Sequence, residues 1–514
     1  MKYCQQFLLF GLLLVTSYCT FASGFRINQE GRILGTLSEV TNSILFNTTN
    51  ADAVVSAMQI FPVSNPWNEC ISNRPVLANS AAMIANIYTN VGSSHRYLEL
   101  FQEMNFVLVP DEQMLVSNLF VDYPDESDLN GGISPYGLYP IPTNQPIEGW
   151  PTGTGTQTLL QWQTNNDGSD RHSIMVEPGA GRFFETWNAL RTGTNWQAAN
   201  GAIFDLNSNG LRPAGWTSGD AAGFPMFPAL VRYEECERGM VEHACRLVVV
   251  KSRYGTYLYP ATHFAAPSSN TGTNIPAMGQ RLRLKADFPI PAGWTKEEKA
   301  LVLGLKKYGA MVADNSSSFF SISITPDNRW SNAFDDLAGK LSITNFEVIQ
   351  TTGPDEGPRS PGAPSAFAGA SQTAFVGVPL TLAGAVSFSN TTPAIQWSVY
   401  SGPGTVAFGN AALTNTTATF SAAGNYILEL SAADGVHAVA YDAVAITVGN
   451  GLAVTGGLNG TNLNLSWSGG AAPYVVQATS QLVTPAWVNV ATSSIPAISL
   501  PMTNAAEFFR IQSP

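Results

Sequence analysis

The sequence predicts a mainly β protein: a large β-sandwich-like N-terminal domain followed by two small Ig-like β-sandwich modules. Three observations carry this. Charged residues make up only 12% of the 514 residues, while Gly (46) and Pro (32) are abundant, a mix that suits short strands joined by many turns. Apolar residues alternate in short runs such as QRLRLKADF (280–288) and ACRLVVVK (244–251), the period of a strand. Gly/Pro/Asn clusters separate these runs at short intervals.

Residues 24–350 read as one mostly β domain with two helices. One is expected near Ala78–Tyr88. The other is TKEEKALVLGLKKYG, residues 295–309: Thr295 and Glu298 form a capping box, Lys306 and Lys307 suit the last turn, and Gly309 stops it. Leu301, Leu305 and Tyr308 make an i, i+4, i+7 stripe, so this helix packs on a sheet. Residues 351–364, with four prolines and three glycines, read as a linker.

Within 365–449, IQWSVYSGPGTVAFGN, ATFSAAGNYILELSAADG and AVAITV resemble a polycystic-kidney-disease-type (PKD) Ig-like module. Trp397 is expected to be buried on a central strand, Tyr426, Leu428 and Leu430 to alternate onto one face, and His437 to lie on the surface. The resemblance implies a spacer or adhesive module of an extracellular protein. Residues 450–514 alternate at Leu463, Leu465 and Trp467 and again at Tyr474 and Val476, resembling a short fibronectin-III-like sandwich that is small for independent stability. In the large domain, NPWN (65–68), DRH (170–172), GAIFDLNSNGLRPAGWTSGDAAG (201–223), LRLKADF (282–288) and VADN (312–315) resemble a group of uncharacterised secreted bacterial proteins. That likeness implies export and one coherent domain, and no reaction.

The first 23 residues read as a secretory signal, with Lys2, an apolar run from Phe7 to Val15 and a small-residue end near Ala22. The run is too short to span a bilayer, and the bulky Tyr18 before Cys19 argues against a lipid anchor. The mature chain is therefore expected to be secreted, extracellular or at the cell surface, with no membrane span. A formal charge of −12 and no Lys/Arg-rich run argue against nucleic acid and leave an extracellular polymer, a polysaccharide, as the expected partner. Three cysteines remain after the signal: Cys70, Cys236 and Cys245. The last two, nine residues apart across Gly239, are the expected disulfide.

The segment SDRHSIMVEPGAGRFFETWNA, residues 169–189, is the best place to look for chemistry. A four-residue loop at 178–181 fits best, because a turn led by L-Pro twists the wrong way for the tightest hairpin, and it places His172 opposite Trp187 with Glu185 as a diagonal neighbour on the same face. A two-residue loop also leaves His172 and Glu185 on one face; a three-residue loop does not. Aromatic rings stack on sugars, and carboxyl groups serve as acid, base or nucleophile at a glycosidic bond. The expected catalytic set is Glu185, His172, Asp205 and Asp220, with Trp187, Phe183 and Trp216 binding substrate. Glu148, in PIEGWP beside Trp150, is a further loop acid. A Glu–His pair closing one end of a buried face would produce the same pattern.

Two metal readings accompany this. DLNSNG (205–210) matches the first half of a calcium loop, but Trp216 stands where the full pattern needs Glu. His172, His243 and His263 could form a three-histidine site for a transition metal. Otherwise no cofactor is expected. The function readings are thus a secreted polysaccharide-active hydrolase, a non-catalytic adhesion or binding protein, and a His-ligated metal-dependent enzyme. No G-x-S-x-G elbow, phosphate loop, His-Glu-x-x-His or Cys-x-x-Cys is present, which argues against the enzyme classes those motifs mark.

Overall fold

The computed structural model describes residues 24–513, except 331, 332, 335, 336, 338, 390, 471 and 503–506. The expected signal segment lies outside the described residues. The chain is mainly β, and three sheets organise its first 350 residues.

A five-stranded sheet runs in the order Asn200–Asp205, Arg182–Trp187, Ser173–Glu177, Val107–Leu108, Ile44–Leu45. Both of its faces are covered. Ile174, Val176, Phe183, Ala202 and Phe204 enter the main core, while Met175 and Phe184 enter a second core with Phe120, Tyr139 and Trp196. The second core lies against a four-stranded sheet, Leu190–Thr192, Asn195–Ala198, Val116–Phe120, Tyr136–Tyr139. Strands buried on both faces lose the apolar-in, polar-out contrast, and every residue of Ser173–Glu177 is buried.

A six-stranded mixed sheet completes the main core, in the order Phe346–Val348, Arg281–Leu284, Ala310–Asn315, Cys245–Val249, Ser321–Ile324, Glu99–Gln102. The helix Lys296–Lys307 is capped by Thr295 and Glu298, and its Leu301, Leu305 and Tyr308 are buried. The earlier helix runs Ser80–Asn90, two residues later than the sequence suggests.

Ser365–Gly449 contains a four-stranded and a three-stranded sheet around Trp397, Tyr426, Leu428 and Leu430. The Trp397 indole donates to the Leu413 and Thr414 carbonyls at 3.1 and 3.2 Å. His437 is not on the surface: its ring nitrogens meet the Asp434 carboxylate and the Ser360 carbonyl. Leu465, Trp467, Tyr474 and Val476 form a last, small core. The 351–364 segment is pinned rather than free. Arg359 is buried and donates to Glu69 at 3.1 Å and to Thr352 at 2.6 Å. Among the described residues no helix is long and apolar enough to cross a membrane.

Candidate functional site

The hairpin adopts the four-residue loop: Glu177 pairs with Arg182, Val176 with Phe183 and Ile174 with Glu185. His172 and Glu185 therefore fall on one face. That face is not open. Glu185 is wholly buried and His172 is 3% exposed, because the 218–227 segment and the six-stranded sheet close over them. Both Glu185 oxygens are taken by backbone amides, Gly219 N at 3.0 Å and Met226 N at 2.9 Å. Burial pushes its carboxyl up to about 7, against the pull of the Met226 amide and with Asp220 adding to the rise. A carboxyl with no solvent path cannot meet a polymer, so Glu185 is corrected from catalytic to structural.

Its expected companions disperse. Asp205 pairs with Arg182, on the opposite face from Glu185, and its Oδ1 accepts the Asn207 amide at 2.8 Å. Phe183 is wholly buried and stacks on Phe204, with centroids 5.1 Å apart, so it is core and no sugar platform. Asp220 does approach Glu185, but its carboxylate is a bidentate partner of Arg246, at 2.9 and 3.0 Å. Trp216 is half-buried beneath the Arg212 guanidinium, 5.5 Å from its ring. Trp187 is half-buried, and its indole donates to Asp170 at 3.2 Å.

The three histidines do not converge. His172 meets Glu148 and Gly219, His243 meets Glu235 and the Ala244 carbonyl, and His263 meets the Ala221 carbonyl. Among the described residues no group of three His, Cys, Asp or Glu side chains is arranged to hold a metal. In the calcium-like run, Asp205 closes its own turn and Asn209 Oδ1 accepts from Asn65 at 2.9 Å, so the oxygens point to protein. Cys236 and Cys245 are buried free thiols, and the expected disulfide is absent. Burial raises both thiols well above their ordinary value.

What the fold does assemble is a set of acids around two buried cations. Glu103 follows the edge strand Glu99–Gln102, and Glu148 stands on the turn before Trp150. Backbone bonds lock these pieces together: Gly149 N to Glu103 O at 2.8 Å and Glu148 N to His172 O at 2.8 Å. Asn105 braces the turn from below, donating to Ile147 O and Trp150 O at 2.8 and 3.0 Å. Glu148 Oε2 accepts both the backbone N–H of His172 at 3.1 Å and its ring Nδ1 at 2.8 Å.

The other ring nitrogen of His172, Nε2, faces the Gly219 carbonyl at 2.8 Å. A carbonyl can only accept, so Nε2 carries a proton. With a carboxylate at Nδ1 the ring is held as imidazolium. Burial works against that charge, but Glu148 outweighs it and raises His172 to about 9. In return, burial would raise Glu148, and the imidazolium beside it holds it below the ordinary carboxylate range instead. Glu103 goes the other way. Burial, with the Glu148 charge adding to it, pushes Glu103 up to about 7.

Arg246, on the Cys245–Val249 strand, closes the floor. It pairs with Asp220 and also reaches Asp314 at 2.9 Å. Asp314 follows a bulge, where the Leu247–Val312 pair gives way to Val248–Asp314 and Ala313 is the extra residue. Burial raises Asp220 to about 6 and also raises Asp314, with Arg246 opposing both. Asp170, exposed, stands at the rim within electrostatic reach of Glu103 and His172. Unlike Glu185, Glu103 and Glu148 keep part of their surface in solvent.

No family model matches this chain, and no curated protein does. Among solved structures, it is similar over 19% of its length to the PKD domain from KIAA 1837 protein, at 23% identity and a TM-score of 0.15, covering 91% of that chain. The PKD domain of human KIAA0319 matches at 17% identity and a TM-score of 0.16, over 19% of this chain and 91% of that one. A nucleoside hydrolase-related hypothetical protein from Saccharophagus degradans, associated with carbohydrate metabolism, matches at 17% identity and a TM-score of 0.16, over 26% of this chain and 35% of that one. These shares are too short to span residues 24–350, so the site rests on its own geometry.

Proposed function

We propose that the large domain is a polysaccharide-active hydrolase whose carboxyl pair is Glu103 and Glu148. The observation that carries this is the opposite displacement of two neighbouring, partly solvent-reachable carboxyl groups. Glu103 is pushed up to about 7 and Glu148 is held low by the His172 imidazolium. Carboxyls driven apart in this way are the division of labour that glycoside hydrolysis needs. Glu103, protonated near neutrality, donates to the glycosidic oxygen. Glu148, ionised, activates water or attacks the anomeric carbon. Trp150, two residues after Glu148, and Trp187, tied to Asp170, supply half-buried rings for sugar faces.

The polymer partner is consistent with the acidic, sparsely charged chain. We propose export as well, on the N-terminal pattern of Lys2 and the Phe7–Val15 run; the mass of the mature protein recovered from culture medium tests it.

The catalytic reading is tested by a hydrolysis screen on neutral, amino and acidic polysaccharides with the wild type, Glu103→Gln and Glu148→Gln, each with its melting midpoint measured. Activity lost in both folded variants is the expected result. Activity that survives in either one removes that residue, and no activity on any glycan favours a binding role for this domain.

A further inference from the structure

We propose that Glu185 is a positioning residue for Glu148, acting through the Gly219 peptide and the His172 ring. This rests on the assignment of Glu148 as the ionised carboxyl of the site.

The path runs through three hydrogen bonds joined by the backbone of Gly219 and the His172 ring. Glu185 Oε1 accepts the Gly219 N–H at 3.0 Å and Oε2 accepts the Met226 N–H at 2.9 Å, so one side chain fixes both ends of the 219–226 loop. The carbonyl of the same Gly219 accepts from His172 Nε2 at 2.8 Å. His172 Nδ1 then meets Glu148 Oε2 at 2.8 Å. If the loop moved, the carbonyl would leave Nε2. The ring would lose the acceptor that requires a proton there, and a neutral ring would no longer hold Glu148 ionised.

The link also explains the glycine. A Cβ at position 219 would lie 3.0 Å from Glu185 Oε1 and 3.1 Å from Met226 Sδ, so a side chain there would crowd the carboxyl that seats the loop. Inside the loop, Ser218 Oγ donates to Phe224 O at 2.6 Å and Asp220 N donates to Ser218 Oγ at 2.9 Å. The loop is thus a rigid turn that Glu185 anchors to the sheet. His172 is faced by Glu148, Asp170, Asp314, Glu103 and Arg246 from other elements and by Asp220 from the loop itself; of these only Asp220 lies on the segment that Glu185 anchors.

The test is NMR titration of the His172 ring in the full chain, wild type against Glu185→Gln, with backbone spectra to confirm folding. The carboxamide that this substitution introduces can accept one of the two N–H groups but must turn its NH₂ toward the other. The His172 midpoint is expected to fall by about one pH unit. Should Glu185→Gln not fold, Gly219→Ala makes the same measurement by pressing on Glu185 from the loop side. An unchanged His172 titration in a folded variant overturns the proposal. This readout needs no substrate. A His172 shift without any glycan hydrolysis leaves the coupling intact and dismisses the hydrolase, whereas hydrolysis with an unmoved His172 does the reverse.

Discussion

Gly31 sits directly against the carboxyl of Glu429, so closely that a Cβ on Gly31 would lie 3.2 Å from both carboxyl oxygens. The two belong to distant parts of the chain. Gly31, at φ +74°, turns the hairpin between Arg26–Ile27 and Ile33–Leu34. Glu429 lies on Gly424–Ala433, where Tyr426, Leu428 and Leu430 join the core around Trp397 and Ala432 is also buried. By the period of a strand Glu429 should face water, yet it is 8% exposed. The N-terminal hairpin covers it, and Tyr400 Oη accepts the Ile33 amide at 3.1 Å at the same contact.

This contact has a pH dependence. Burial pushes Glu429 up to about 7, so the folded form holds a proton there that the unfolded chain loses nearer 4.5. Stability from this group is complete below that lower value and falls as pH rises through about 7. Glu429→Gln is expected to raise stability at pH 8 by about 1–2 kcal/mol and to change little at pH 4. Calorimetry at both values checks it; an equal effect at the two would contradict the raised carboxyl.

For catalysis the two carboxyls set opposite limbs. The proposed hydrolysis needs Glu148 ionised and Glu103 protonated. The rate should rise with pH below the ordinary carboxylate range and fall as pH passes about 7. Glu103→Gln is expected to lower kcat/KM by about 10²–10⁴-fold and to erase the basic limb. A retained basic limb in that variant would assign it to another group.

The His172–Glu148 pair should contribute stability over a defined window. The raised histidine contributes fully below its ordinary 6.5 and loses its contribution as pH climbs through about 9. The depressed Glu148 contributes above its ordinary value and loses it as pH falls. Glu148→Gln leaves a buried imidazolium without its partner and is expected to cost about 2–4 kcal/mol near pH 6, measured by urea unfolding. A cost that persists undiminished at pH 10 would speak against an ion pair.

Thiol chemistry separates the three cysteines among the described residues. Cys70 is exposed, whereas Cys236 and Cys245 are buried with thiols raised by burial. A thiol reagent should therefore label Cys70 on the native protein and reach Cys236 and Cys245 only after denaturation, with the melting midpoint unaffected by reductant. Two unreactive cysteines in denaturant without reductant would restore the disulfide.

Much of the local architecture was legible. The Thr295–Glu298 capping box, the Leu301/Leu305/Tyr308 stripe, the Trp397 core and the 178–181 loop follow from spacing and turn chemistry, and they stand in the fold as read. Glu148 was visible as an acid beside Trp150. Glu103 in FQEMNF and Arg246 in ACRLVVVK carried no signal, because nothing local to either residue marks the partner it will meet. The hairpin was read with the right register and the wrong surroundings. Alternation tells which residues share a face, but it is silent on whether a second layer covers that face.

The sequence alone thus determined the strands, their turns, the helix caps and the parity that puts His172 beside Glu185, since all of these depend on neighbours a few residues away. Only the tertiary structure decided which acids are sealed and which reach water. It brought residues 103, 148, 172, 220, 246 and 314 together across separate sheets and loops. Burial and charge at such a meeting point depend on packing between segments far apart in the chain, and that packing sets which carboxyl keeps its proton.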